Sequence, residues 1–550
     1  MTHRQILESM SGLMVGMFVA MLSSTVVTNA LPRIITSLHG SESGYIWVVA
    51  ATLLAMTAST PIWGKMSDLV SPKLLVQLSI VIFVVGSAAA GASQNIGMMI
   101  GARVLQGIGA GGLTALVQII MARMVSPRER GRYSGYLGAV FALATVLGPI
   151  VGGVIVDTSW LGWRWCFYVG VPFAVIALIV LQKTLKLPEI KREAKIDYLG
   201  ATLIVGGVSV LLVWVSLAGT NFGWASVQTL LMVVGGVLML GLAVLVELHA
   251  SEPIIPMALF KNSTVTLASV AAVFVGSALF GVTVFLSQYF QIARAMSPTM
   301  SGLATVPMVV GMFLASLIIG RIITKTGLWK RYLVGGSLAL VAGLVVLGTM
   351  RADTPYLILA AGMLLAGVGM GATMQNLVLA VQNSVSMRDI GSASATITFI
   401  RSLGGAIGVS ALGAVLASQV TQHVSTGLRA LSIDPTAVGP AGAVPNPALL
   451  PAPIAHVVEN AYGLATSSAF IISAIAAPLG AIAIFFIREV PLRMTTADEN
   501  DLHESPQPIV SKAPTAEDLT AEDLTAEDLA AEGLTGEDLA ETPVFAGRSS

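Results

Sequence analysis

Charge is scarce in this sequence. Only 11% of its 550 residues are Asp, Glu, Lys or Arg, against about 25% in soluble globular proteins. Cysteine is scarcer still: the single Cys166 excludes a disulfide within the chain, and beside Trp165 it reads as a buried, inert thiol. The six histidines fall at no metal-ligand spacing. No Gly-x4-Gly-Lys-Ser/Thr phosphate loop occurs, which argues against a nucleotide-driven pump, and nucleic-acid motifs are absent. Nor is a cleavable secretory signal evident, because the first apolar segment is long enough to span a bilayer and lacks a small-residue cleavage site.

What is present is apolar. Hydrophobic residues make up 55% of the chain, and mean hydropathy is +0.84. A spanning helix needs about 20 such residues. Fourteen segments qualify: 10–31, 45–63, 74–92, 97–121, 133–156, 165–182, 199–218, 227–248, 265–291, 299–320, 332–350, 356–381, 391–418 and 463–487. The formal net charge of zero hides a division. Residues 494–550 hold 14 of the 29 acids and only Lys512 and Arg548 among the bases, so the remaining body carries 27 bases against 15 acids. With both termini in the cytoplasm, Lys65, Lys73, Arg123, Arg128, Arg130, Arg132, Lys330 and Arg331 all fall inside, as the positive-inside rule requires.

The chain repeats itself. A shift of 260 residues places 107–111 on 367–371, Arg128 on Arg388, Gly131 on Gly391, Gly148 on Gly408 and Gly153 on Gly413. Two parallel six-helix bundles follow, related by an axis along the membrane normal, with two inserted helices between them. The expected division is 1–192 for the first bundle, 193–260 for helices 7 and 8 and their linker, and 261–493 for the second bundle. The latter includes an external loop, 419–462, expected to be irregular or partly helical. Residues 494–550 carry a drifting five-residue repeat over 515–539 and read as a disordered acidic cytoplasmic tail.

Segment 133–156 contains Gly135-x8-Ala144-x3-Gly148-Pro149-Ile-Val-Gly152-Gly153. In water these residues cost a helix about 3 kcal/mol for Pro and 1 per Gly. In a bilayer they permit a kink and close helix approach. Leu22-Ser-Ser-Thr25-Val-Val-Thr-Asn29-Ala-Leu-Pro32, Gly64-Lys-Met-Ser-Asp68-Leu-Val-Ser-Pro-Lys73, Arg103-Val-Leu-Gln106-Gly107-Ile-Gly109 and Trp163-Arg164-Trp165 through Pro172 complete a set. Together these motifs resemble the major facilitator superfamily, and within it the 14-helix drug:proton antiporters of the EmrB/QacA type, over residues 10–490. The resemblance implies a gate-locking role for Asp68 with Gly64 and Lys73, the alternative being a solvated loop charge. It also implies bundle movement about Gly148, Pro149, Gly152 and Gly153. Val409 stands where the repeat would place a second Pro149, so the hinge is expected to be asymmetric. Gly320 is kept in the second half but Thr324 replaces the acid, so a weaker, one-sided lock is expected. Arg103, a permanent charge costing at least about 2.5 kcal/mol inside a membrane, is either functional or a structural arginine satisfied by carbonyls.

Acid is missing where the family usually has it. Ser23 occupies the aspartate position of the first-helix motif, and no Asp or Glu lies mid-way along any apolar segment. Asp157, at a helix end, is the nearest candidate for a proton carrier; Glu247 reads as an interfacial anchor of helix 8. Helices 1, 4, 9 and 12 are expected to line a central cavity with Ser23, Ser24, Thr25, Asn29, Phe280, Thr283, Gln288, Gln375 and Asn376, or to use them in helix–helix hydrogen bonds. The resulting expectation is no enzyme. It is a bacterial inner-membrane exporter of small amphipathic compounds that uses the proton gradient and no bound cofactor, metal or nucleotide. Its rivals are a dedicated exporter of one endogenous metabolite or lipid and a non-transporting scaffold or sensor acting through the tail.

Overall fold

A computed structural model describes residues 3–38, 42–158, 160–185, 197–218, 222–250, 252–433 and 450–492. The acidic tail and the centre of loop 419–462 lie outside them. Among the described residues every extended element is helical and no β-strand forms. Fourteen long helices follow in order: α1 (His3–Ser37), α2 (Glu42–Leu69), α3 (Pro72–Gly91), α4 (Ile96–Met124), α5 (Pro127–Asp157), α6 (Trp165–Thr184), α7 (Tyr198–Leu217), α8 (Val227–His249), α9 (Ser263–Gln288), α10 (Val306–Thr326), α11 (Lys330–Gly348), α12 (Tyr356–Ser384), α13 (Ile390–Ala430) and α14 (Ala452–Phe486). Thirteen are long and apolar enough to cross a membrane. The other, α2, has 28 residues and no charge between residues 43 and 64.

Local chemistry sets many of the boundaries. Asn95, Ser226 and Asn262 cap α4, α8 and α9 by accepting N–H bonds, while Pro72 and Pro127 open α3 and α5 where no N–H is needed. Gly327, at φ 74°, closes α10 in the left-handed region that glycine tolerates. Segment 299–320 is corrected: a short helix, Pro298–Ala304, ends at Thr305 and α10 begins afresh at Val306. Each piece has a proline in its first turn, the position proline prefers. The flanks of loop 419–462 are helical, since α13 runs to Ala430 and α14 starts at Ala452.

The packing repeats as the sequence does. In the first half α1 lies on α5 and α6, α4 on α2 and α3; in the second, α9 lies on α13 and α14, α12 on α10 and α11. Each half encloses its own apolar core, around Leu13, Phe83 and Leu116 in one and Phe290, Leu344 and Phe470 in the other. The inserted α7 and α8 pair with each other, and α7 bridges the halves: Ile204, Val208 and Leu212 pack with Leu53 and Leu54 of α2 and Phe399 and Leu403 of α13. α8 exposes Leu230, Leu231, Leu238 and Leu245. That face suits lipid, where an apolar surface carries no penalty.

Candidate functional site

The halves meet along two seams, α2 against α13 and α5 against α10. At one end of the molecule, the basic end, both seams are latched. On the first seam Asp68 reaches across to the start of α13. Its oxygens accept the Gly391 N–H at 3.0 Å, the Ser392 N–H at 2.8 Å and the Ser392 hydroxyl at 2.8 Å. These are second- and third-position N–H groups, which an N-cap side chain normally satisfies. α13's own preceding Asp389 does not cap it; it accepts the Ser386 hydroxyl instead. Asp68 is therefore a cap supplied by the other bundle, and its negative charge meets the positive end of the helix dipole. Arg123 of α4 donates to the same carboxylate at 2.9 Å.

The second seam is latched by the opposite helix end. Arg128 of α5 donates to the Thr324 and Lys325 carbonyls, the unsatisfied C-terminal groups of α10, at 3.4 and 3.3 Å. The Arg132 N–H donates to the Thr324 hydroxyl at 2.9 Å. Between these contacts α5 and α10 cross at Gly131 and Gly320, where a Cβ on Gly131 would stand 2.8 Å from the Gly320 carbonyl oxygen. The expected one-sided lock is thus corrected. Thr324 is engaged through its hydroxyl and carbonyl, so the second latch is present but carries no carboxylate.

Between the latches a buried amide bridge joins α4 to α12. Gln118 donates to Gln375, and Gln382 donates to the Gln118 carbonyl at 3.4 Å and to Ser394 at 2.9 Å. Three contacts between halves therefore stack at one end: the two latches pair the second helix of each half with the fifth of the other, and the amide bridge joins the two equivalent fourth helices.

The sequence model of the Major Facilitator Superfamily matches residues 13–409. An uncharacterised MFS-type transporter of Mycobacterium tuberculosis is 34% identical over 497 residues, covering 90% of this chain and 71% of its own. The chain belongs to the major facilitator superfamily. A multidrug transporter of Bacillus subtilis, MdtP, is 35% identical over 407 residues, 74% of each chain. The crystal structure of the human organic anion transporter MFSD10 superposes with a TM-score of 0.57 at 15% identity, over 86% of this chain and 99% of that one, which speaks for the fold. The protein is a multi-pass membrane transporter and not an enzyme.

In this transporter the predicted residues separate into groups. Gly64 joins Asp68 on the first seam, facing Ala395 and the Gly391 carbonyl of α13. Lys73 stays within the first bundle, donating to the Gln182 carbonyl near the end of α6 at 2.9 Å. Arg103 is 2% exposed. Its Nε donates to the Val48 carbonyl of α2 at 3.2 Å and its Nη1 to Gln106, which in turn donates to Ser87 of α3. That arrangement ties α2, α3 and α4 together. Gly148 and Gly152 admit α1, at Thr25 and the Val26 carbonyl, whereas Gly153 faces Thr299 of the second half. The side chains of Asn29, Pro149 and Asp157 lie outside the described residues.

The supposed cavity residues also divide. Ser23 is 1% exposed and faces Gly170 of α6, inside the first bundle. Ser24 is partly buried beside it. Thr25 donates to carbonyls of α1 itself and to the Ala144 carbonyl of α5 at 3.3 Å. Thr283 bonds its own helix, as does the Asn376 amide, Phe280 packs beside Gly405, and Gln288 is exposed at the end of α9. Of the nine, Gln375 is the one described as bonded across the bundles. Arg123, Arg132, Ser392, Gln118 and Gln382 carried no local motif; Arg123 and Arg132 stood out by the placement of their charge, and the 260-residue register linked Gly131 to Gly391 nearby. Glu247, near the end of α8, is 3% exposed and buried against Gly200 of α7.

Proposed function

We propose that the protein is a proton-coupled exporter of small amphipathic compounds in a bacterial inner membrane, working by alternating access with its basic end and both termini in the cytoplasm. The observation carrying this reading is the pair of crosswise latches. Helix ends held by Asp68 and Arg128 across the seams are reversible contacts, strong enough to hold one side closed and weak enough to release. A cap contributes about 0.5–2 kcal/mol, well below the free energy that holds each bundle together. The basic side-chain bias at that end supports a cytoplasmic position for it. The MdtP relative is named as a multidrug transporter, which supports small amphipathic substrates here.

The test is efflux of an amphipathic fluorescent dye from proteoliposomes under an imposed pH gradient, comparing the native chain with Asp68→Asn, Ser23→Asp and Asp157→Asn. Native efflux is expected to follow the gradient, and Asp68→Asn to slow it. Dye efflux indifferent to the gradient would remove proton exchange while leaving export; no efflux of any dye would remove the export reading.

A further inference from the structure

The inserted helices carry two carboxyl groups that the latches do not use. Glu247, near the end of α8, accepts the Ile255 N–H at 3.2 Å through Oε2, and its Oε1 is buried with no hydrogen-bond partner. Asp197 caps α7, its Oδ1 accepting the Gly200 N–H at 2.8 Å, and its Oδ2 is likewise buried and unpartnered. The two free oxygens face each other across Gly200. A Cβ there would press on both at once, which sets them within about 5 Å of each other, the range in which like charges interfere with each other's ionisation.

Two ionised carboxylates so placed repel, and exclusion from water strengthens the repulsion. A single proton resolves both problems: the hydroxyl of one acid donates to the orphan oxygen of the other, and one negative charge disappears. We propose that Asp197 and Glu247 form a proton-binding site whose occupancy sets the first latch. Among the described residues, the cation acting on Glu247 is Lys65 of α2, which is ion-paired with Glu252 just beyond α8. His249 is exposed and engages the Leu245 carbonyl, and α13 presents Phe399, Leu403 and Ala406 to this seam. Lys65 is thus the cation placed to answer the pair when its proton leaves to water. It stands three residues before Asp68 on the same helix, so a shift of Lys65 from Glu252 toward the pair moves the turn that caps α13. The site lies on α7, the helix that bridges the halves, which is where a proton can bias both.

Two measurements on the full chain in nanodiscs test this. In infrared pH titration, the native protein is expected to show a carboxylic-acid C=O band that bleaches on raising pH and is absent from both Glu247→Gln and Asp197→Asn. These amides preserve shape and, for Glu247→Gln, a permanent donor to Asp197, so folding is retained. A band that persists in both variants overturns the site, whatever the protein transports. The second measurement is the distance between spin labels at positions 74 and 326, reporting opening of the basic end. The native distribution is expected to shift with pH and that of Glu247→Gln to stay fixed; this arm rests on the alternating-access reading. A native-like pH response in Glu247→Gln, or none in the native chain, overturns the coupling to the latch.

Discussion

At the scale of single residues, the decisive contacts are hydrogen bonds that a charged side chain makes to backbone groups of another helix. Asp68 satisfies two N–H groups of α13, so Asp68→Ala leaves both unpaired and removes the charge from the helix end. The expected cost to closure is about 1–3 kcal/mol, or one to two decades in the open-to-closed ratio. It is read as faster maleimide labelling of a cysteine placed at position 394, which the closed seam buries. Arg103 behaves differently because its partners, Val48 and Gln106, belong to its own bundle. Arg103→Leu is expected to lower stability by about 1–3 kcal/mol, seen as a lower thermal unfolding midpoint, while the efflux rate per folded molecule stays within about twofold. A collapse of efflux with an unchanged midpoint would give Arg103 a direct role in transport instead. Polar residues such as the buried Ser23 and the partly buried Thr25 were legible as polar positions on a spanning helix. Their direction was not, since a helical stripe has two edges and the neighbour on each is decided elsewhere in the chain.

At the scale of elements, small residues decide which helices cross and how closely. The α5–α10 crossing requires Gly131 and Gly320 to place backbone on backbone. Gly320→Val puts a branched side chain against the Gly131 carbonyl, and overpacking of this kind costs about 1–3 kcal/mol. The expected result is a protein that inserts and remains monodisperse but whose spin-label distance across the basic end lengthens. Unchanged distance would mean that the helices part at no cost. The fourteen spans were legible because bilayer thickness fixes their length and hydropathy fixes their content. The exception, 299–320, slipped because its composition continued across Thr305 while two prolines restarted the helix. The glycines of α5 were legible as a packing surface; that Gly148 and Gly152 receive α1 while Gly131 receives the other bundle depends on the rotation of α5, which composition does not encode.

At the scale of the whole molecule, two like-folded halves meet crosswise, so each latch joins an element of one repeat to the non-equivalent element of the other. Closure is shared between Asp68 on one seam and Arg128 on the other. Combining Asp68→Ala with Arg128→Ala is therefore expected to weaken closure by more than either alone and nearly by their sum, because the described bonds of Asp68 and of Arg128 across the seams go to different helices. The same maleimide labelling rates measure it, and a double variant no more open than one single variant would show that one latch suffices. Deleting residues 494–550 is expected to leave dye efflux unchanged in proteoliposomes. Loss of efflux would give the tail a part in transport itself.

The sequence by itself determined the class of the protein. Scarce charge and fourteen long apolar runs leave a helical membrane body as the stable arrangement, since every backbone polar group in a bilayer has to be paired within the chain. The internal repeat determined the two halves, and the motifs determined the superfamily. Only the tertiary structure decided what those motifs touch. Asp68 needed α13, 323 residues later in sequence, to become a cap. Thr324 needed the backbone of α5 to become a latch, and Glu247 needed Asp197 of α7 to stop being a plain helix anchor. Hydropathy acts locally and is written residue by residue. Charge acts on whatever the fold brings within a few ångströms, and that proximity exists only once both bundles have packed.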